Sequence, residues 1–140
     1  MLSSTTVSLH SLRQRSGRRR LRVLLAEDDE GVREGFKLYF ETVGLEVHTA
    51  DDGNAAVRTA KETLPDVIVL DVRMPGLDGH EVTRALRGTR TTSRTPIVLL
   101  TGALPPGGTR PDRHGADATV LKPCAPAELL ALIRRLGGRA

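Results

Sequence analysis

Short apolar runs in this 140-residue sequence end in side chains able to do chemistry. Glu27, Asp28 and Asp29 follow the run 21–26, and Asp71 follows 67–70. Thr101 follows 96–100, and Lys122 follows 118–121. Brought together, several carboxylates repel one another and resist losing water. A hard divalent cation relieves that cost, and Mg²⁺ suits such a set because it takes one or two carboxylates and completes its shell with water and phosphate oxygens. Lys122 is a compact positive charge suited to phosphate, and Thr101 offers a hydroxyl donor. Asp71 is then the natural nucleophile, since carboxylates form acyl phosphates. The residue types point to phosphoryl transfer at a metal-assisted site.

Taken singly, each residue has a plainer reading. A strand-end aspartate such as Asp71 often caps a helix, and an acidic run before a helix complements its dipole. Lys122 alone is a surface lysine, and Thr101 alone is an ordinary strand residue. Joint placement decides the matter, and it depends on the elements that carry these residues.

Run 21–26 is followed by Val32, Phe36, Tyr39, Phe40 and Val43 at helical spacing, with Gly44 as a stop. Residues 45–50 alternate apolar and polar as a strand. A second helix opens with the run Asp51-Asp52-Gly53-Asn54, carries Ala56, Val57, Ala60 and Leu64, and breaks at Pro65. Residues 67–70 are continuously apolar, which marks a strand buried on both faces of a parallel sheet. A turn through Met74, Pro75 and Gly76 leads to a helix with Val82, Ala85 and Leu86. Residues 96–100 and 118–121 are the fourth and fifth strands. A last helix starts at Pro126 and carries Leu129, Leu132, Ile133 and Leu136. Strands alternating with helices predict an α/β domain with a doubly wound, five-stranded parallel sheet. In the flavodoxin-like order 2-1-3-4-5, all carboxyl ends share one rim, and strands one and three meet at the switch point where ligands bind.

Composition narrows the class. The single cysteine, Cys124, excludes an internal disulfide and a cysteine-based zinc cluster. It reads as a small buried filler. No apolar stretch approaches the roughly 18 residues that span a bilayer, and no apolar core follows the basic start as in a secretory signal. A cytoplasmic protein is expected. Residues 1–26 hold six arginines and no acid, while the rest of the chain sets 15 basic residues against 17 acidic ones. The basicity therefore belongs to residues 1–20, read as a disordered, solvated tail ahead of a domain at 21–137. Such a tail can attract nucleic acid or an anionic membrane, and the solvating role is preferred.

Four segments carry a family resemblance: residues 23–29 (VLLAEDD), 66–79 (DVIVLDVRMPGLDG), 96–102 (PIVLLTG), and the pair Lys122-Pro123. In this order and at these separations the chain resembles the receiver domain of two-component response regulators. The resemblance implies that Asp71 accepts a phosphoryl group from a phosphohistidine on a sensor histidine kinase or histidine phosphotransfer protein. It implies Mg²⁺ held by Asp28, Asp71 and the backbone carbonyl of Arg73, with Glu27 acting through water. Thr101 and Lys122 would stabilise the phosphoryl group, and the Lys122–Pro123 bond would be cis. Such a domain assists its own phosphorylation and dephosphorylation and passes the signal to a downstream protein.

The sequence also departs from the pattern. Thr119 stands where an aromatic switch residue is usual, and it cannot supply the same volume change. Residues 102–111 hold three prolines and three glycines where a helix is expected between the fourth and fifth strands. That helix is predicted to be shortened, displaced or disordered over 102–116. Arg73 stands at the mouth of the site, placed to alter phosphoryl lifetime.

Three functions follow. The first is a stand-alone phosphorylatable receiver, since Ala140 closes the chain soon after the last helix. Met1 reads as a native start, against the alternative of a piece of a hybrid kinase. The second is a phospho-aspartyl hydrolase, disfavoured because Arg73 occupies the position of the second acid. The third is a receiver-like interaction module that no longer switches.

Overall fold

The computed structural model describes residues 19–103 and 115–138. Along the chain lie β1 (Arg22–Ala26), α1 (Glu30–Thr42), β2 (Glu46–Ala50), α2 (Gly53–Thr63) and β3 (Val67–Asp71). Then come α3 (Gly79–Arg87), β4 (Ile97–Thr101), β5 (Ala118–Leu121) and α4 (Pro126–Gly137). The strands form one parallel sheet in the order β2-β1-β3-β4-β5. This is the expected doubly wound arrangement.

The apolar run of β3 is buried at every position because helices cover both faces of the sheet. On one face Phe36 and Phe40 of α1, with Leu129 and Ile133 of α4, pack on Val23, Leu25, Val69 and Leu100. The two phenylalanine rings stack with centroids 5.7 Å apart, as residues four apart on one helix face do. On the other face Ala56 and Ala60 of α2, with Val82 and Leu86 of α3, pack on Leu24, Ile68, Leu70 and Leu99.

Three helices begin with an aspartate cap. Asp29 accepts from the Val32 N–H at 2.9 Å, and Asp52 accepts from the Ala55 N–H at 2.7 Å. Asp78 and Glu81 form a reciprocal capping box. α4 starts instead with Pro126 in its first turn.

The apolar rows overshoot the core at two points. Val32 and Leu64 were both expected on buried helix faces, yet they are 38% and 50% exposed. Val32 lies in the first turn of α1, one turn before Phe36. Pro65 disfavours a helical residue before it, so α2 ends at Thr63 and Leu64 turns left-handed (φ 48°). Cys124, expected to be buried, is half-buried against the α1/α4 side of the core. Arg19, expected in the tail, ion-pairs with Asp66 at 2.8 Å. Residues 1–18 lie outside the described residues. So do residues 104–114, where the shortened helix was predicted. No helix among the described residues is long and apolar enough to cross a membrane.

Candidate functional site: an acidic pocket at the carboxyl rim

Register builds the pocket. Ala26 of β1 lies beside Leu70 of β3, so Glu27 and Asp71 follow as neighbours at the strand ends. Backbone bonds extend the ladder past the strands: Glu27 N–H donates to Ala50 O at 3.0 Å, and Val72 N–H donates to Leu100 O at 2.9 Å. On the far side Thr101 pairs with Leu121, and Lys122 N–H donates to Thr101 O at 2.7 Å. The Lys122–Pro123 peptide is cis, as expected.

One oxygen from each of Glu27, Asp28 and Asp71 falls in a group spanning at most 4.8 Å. Glu27 and Asp71 are 1% and 4% exposed, whereas Asp28 is open to solvent. Lys122 Nζ donates to Asp71 Oδ2 at 2.9 Å and to Glu27 Oε1 at 3.3 Å. The second oxygens are also engaged. Asp71 Oδ1 accepts the Arg73 N–H at 3.2 Å, and Glu27 Oε2 accepts the Asp29 N–H at 3.1 Å.

Electrostatics follow from burial. The Glu27 carboxyl is pushed above the ordinary carboxylate range, first by loss of water and then by its neighbour Asp71, against the pull of the Asp29 N–H and Lys122. Burial works to lower the Lys122 ammonium, but its bonds and attraction to Asp71 and Glu27 outweigh that and hold it above the ordinary lysine value. Formally, three carboxylates face one ammonium, an excess of two negative charges that one divalent cation matches. All the donors are hard oxygens, and exposed Asp28 leaves one side open for water. The donor set fits Mg²⁺.

Two supports were not foreseen. Arg33, 15% exposed on α1, donates from Nη1 to the carbonyls of Glu27 at 2.9 Å and Asp28 at 3.4 Å. It pins the backbone that carries both acids, a role no local spacing announces. Gly79 opens α3 against the end of β3, where its N–H reaches Val72 O at 2.8 Å. A Cβ there would lie 2.8 Å from Asp71 O, too close for any side chain.

The remaining predicted residues sit as follows. Thr101 shares the rim, but its hydroxyl is turned to the following loop, donating to Ala103 O at 3.0 Å and accepting from Ala103 N–H at 3.3 Å. The Arg73 side chain is exposed. Thr119 is buried in β5 beside Leu99.

A family model described as the response regulator receiver domain matches residues 23–134. The chain belongs to this family. It is 40% identical over 128 residues to the transcriptional regulatory protein PrrA of Mycobacterium leprae, across 85% of this chain and 52% of PrrA. It is 41% identical over 121 residues to the response regulator MprA of the same organism, across 83% of this chain and 50% of MprA. The receiver chain thus spans about half the length of the curated relatives it matches.

Among solved structures it resembles the receiver domain of the sensor histidine kinase PA1611 from Pseudomonas aeruginosa PAO1, which has a magnesium ion coordinated in its active-site cleft. That match has a TM-score of 0.76 and 31% identity, covering 85% of this chain and 98% of that one. The chemotaxis response regulator CheY4 of Vibrio cholerae matches with a TM-score of 0.77 and 32% identity, covering 84% and 98%. Nothing in these likenesses favours a receiver-like interaction module that no longer switches, and Glu27, Asp28, Asp71 and Lys122 stand together in the receiver's pocket.

Proposed function

We propose that this receiver domain takes a phosphoryl group onto Asp71 from a phosphohistidine of a sensor histidine kinase or histidine phosphotransfer protein. The observation that carries the reading is the bond between buried Asp71 and Lys122 beside two further acids at one rim of the sheet. An Asp71 oxygen attacks phosphorus, and the new O–P bond forms as the P–N bond to the donor histidine breaks. The leaving imidazole keeps the electron pair and takes a proton from solvent.

Lys122 moves from carboxylate to phosphoryl oxygen with little displacement, since its ammonium already sits at the acceptor. Asp28, Asp71 and the Arg73 carbonyl are the groups that would hold Mg²⁺. Glu27, 1% exposed beside solvent-open Asp28, would act through water. When bound, Mg²⁺ neutralises phosphoryl oxygens and orients them. Thr101 rotates from Ala103 to donate to the phosphoryl group. The open side at Asp28 admits water, so the domain also assists its own dephosphorylation, with exposed Arg73 setting its rate. The phosphorylated surface is read by a downstream protein, without the usual aromatic at Thr119. A cytoplasmic setting goes with a kinase partner.

Incubation of the chain with Mg²⁺ and acetyl phosphate, followed by intact mass, tests the reading. One added phosphoryl group, absent when Mg²⁺ is chelated and absent in Asp71→Ala, is the expected result. No addition under any condition would overturn it. Sustained turnover of a phosphate ester would revive a hydrolase.

A further inference from the structure

The connection between β3 and α3 carries Arg73, and both its ends are tied to the sheet. Val72 N–H donates to Leu100 O at 2.9 Å, and Gly79 N–H donates back to Val72 O at 2.8 Å. Arg73 N–H donates to Asp71 Oδ1 at 3.2 Å. Met74 is buried in the core cluster that includes Ala50 and Ala56. The stretch that follows rests on the start of α2, where Gly53 N–H donates to Pro75 O at 3.2 Å.

This contact exists because position 53 has no side chain. Gly53 is buried, and a Cβ there would stand 1.9 Å from Leu77 O and 2.6 Å from Leu77 C. Gly76 turns left-handed (φ 76°) beside the next residue of α2, and a Cβ on it would lie 2.9 Å from Asn54 Nδ2. A backbone carbonyl cannot rotate aside as the end of a long side chain does. Any larger residue at position 53 must therefore push the connection off α2. Arg73 lies two residues before Pro75 and is held by Asp71 on its other side, so the shift reaches its carbonyl.

Metal ions differ in how much such a shift costs. Mg²⁺ demands near-octahedral geometry at about 2.0–2.1 Å, whereas Ca²⁺ accepts looser sets of oxygens at about 2.3–2.6 Å. A carbonyl ligand held in place favours Mg²⁺, and a displaced one gives up that advantage. Given the ligand set of Asp28, Asp71 and the Arg73 carbonyl, on which the proposed function also rests, we propose that Gly53 is a positioning residue for the metal. Through Pro75 and Leu77 it fixes the Arg73 carbonyl and so sets the preference of the pocket for Mg²⁺ over Ca²⁺.

The test is isothermal titration calorimetry of the full, unphosphorylated chain with each ion, beside thermal unfolding in EDTA. The wild type should bind Mg²⁺ more tightly than Ca²⁺. In G53A the Mg²⁺ dissociation constant should rise by about tenfold to a hundredfold, the usual effect of losing a partner that orients a metal ligand. Ca²⁺ binding should weaken several-fold less. G137A is the control: a Cβ there would lie 2.5 Å from Val67 Cγ2, at the opposite rim. It should unfold at a lower temperature yet keep the wild-type preference. If G53A does not fold in EDTA, G76A, on an exposed residue of the same connection, decides by the same criteria. Equal weakening of both ions, no change in either, or the same shift of preference in G137A would overturn the proposal and leave the proposed function standing. A wild type that binds no Mg²⁺ would instead remove the ligand set, and the role of Gly53 with it.

Discussion

The Lys122 ammonium lies 2.9 Å from Asp71 Oδ2, joining the end of β5 to the end of β3 across β4. Sequence separates the two residues by 51 positions; the parallel sheet brings them to one point. The ammonium is the positive charge set among the acids of the pocket, and under the proposed function it is the group that meets a phosphoryl oxygen.

Removing that charge should split two properties. Lys122→Ala leaves three carboxylates with no cation, so the pocket attracts Mg²⁺ more strongly. A dissociation constant lowered by roughly two- to tenfold is expected from the loss of one nearby like charge. Phosphorylation by acetyl phosphate should slow at the same time, because the developing charge loses its partner. Isothermal titration calorimetry and intact mass measure the two. Weaker Mg²⁺ binding in the variant would contradict this account of the charge balance.

Arg33 should act on the same pocket through the backbone. Arg33→Ala releases the carbonyls of Glu27 and Asp28. The loss of charge-assisted bonds by a mostly buried guanidinium is expected to cost about 1–2 kcal/mol in stability. Mg²⁺ affinity should fall as Asp28 loses its fixed position. Chemical denaturation and calorimetry check both. Unchanged Mg²⁺ affinity would limit Arg33 to a structural role.

Glu46 predicts an acid-dependent term in stability away from the site. Its carboxylate is 2.7 Å from His48 Nε2 and 2.8 Å from Arg22 Nε. The hydrogen bond with His48 chiefly, and then Arg22, hold the carboxyl below its ordinary value of 4.5 against the opposing effect of burial. A depressed folded-state pKa gives stability that is full above the unfolded value and lost as pH falls through the folded one. The Tm advantage of the wild type over Glu46→Gln should therefore shrink as pH drops from about 6 to about 3. A constant offset across that range would show that the ionised form is not involved.

Cys124 should be a slow thiol. Burial first, and the charge of Glu128 second, push its pKa above the ordinary thiol value of 9.0. Less thiolate at neutral pH means slower alkylation. Iodoacetamide should modify the folded chain several-fold more slowly than it modifies the chain in denaturant. Equal rates would contradict the burial effect.

The main lines of the fold were legible because a doubly wound domain writes itself in alternating periods. The continuous apolar run of β3 and the helical rows of α1 and α4 left little choice of architecture. The pocket was legible because register is additive: once β1 and β3 are neighbours, Glu27 and Asp71 must be too. What the local pattern hid was tertiary. Asp29, Asp52 and Asp78 carry the same local signature as Asp28, an acid just ahead of a helix, yet they are caps. Arg33 looks like any surface arginine until α1 docks and aims it at two carbonyls. Leu64 fits the apolar row of α2, but Pro65 turns the chain before that row can be used.

The central claim is that Asp71 itself forms the acyl phosphate. Borohydride reduces an aspartyl phosphate to homoserine, so the modified position can be read by peptide mass spectrometry. After treatment with Mg²⁺ and a phosphodonor, homoserine should appear at position 71 and nowhere else. Homoserine at position 28 or 29, or none in a chain that has gained a phosphoryl group, would contradict the account.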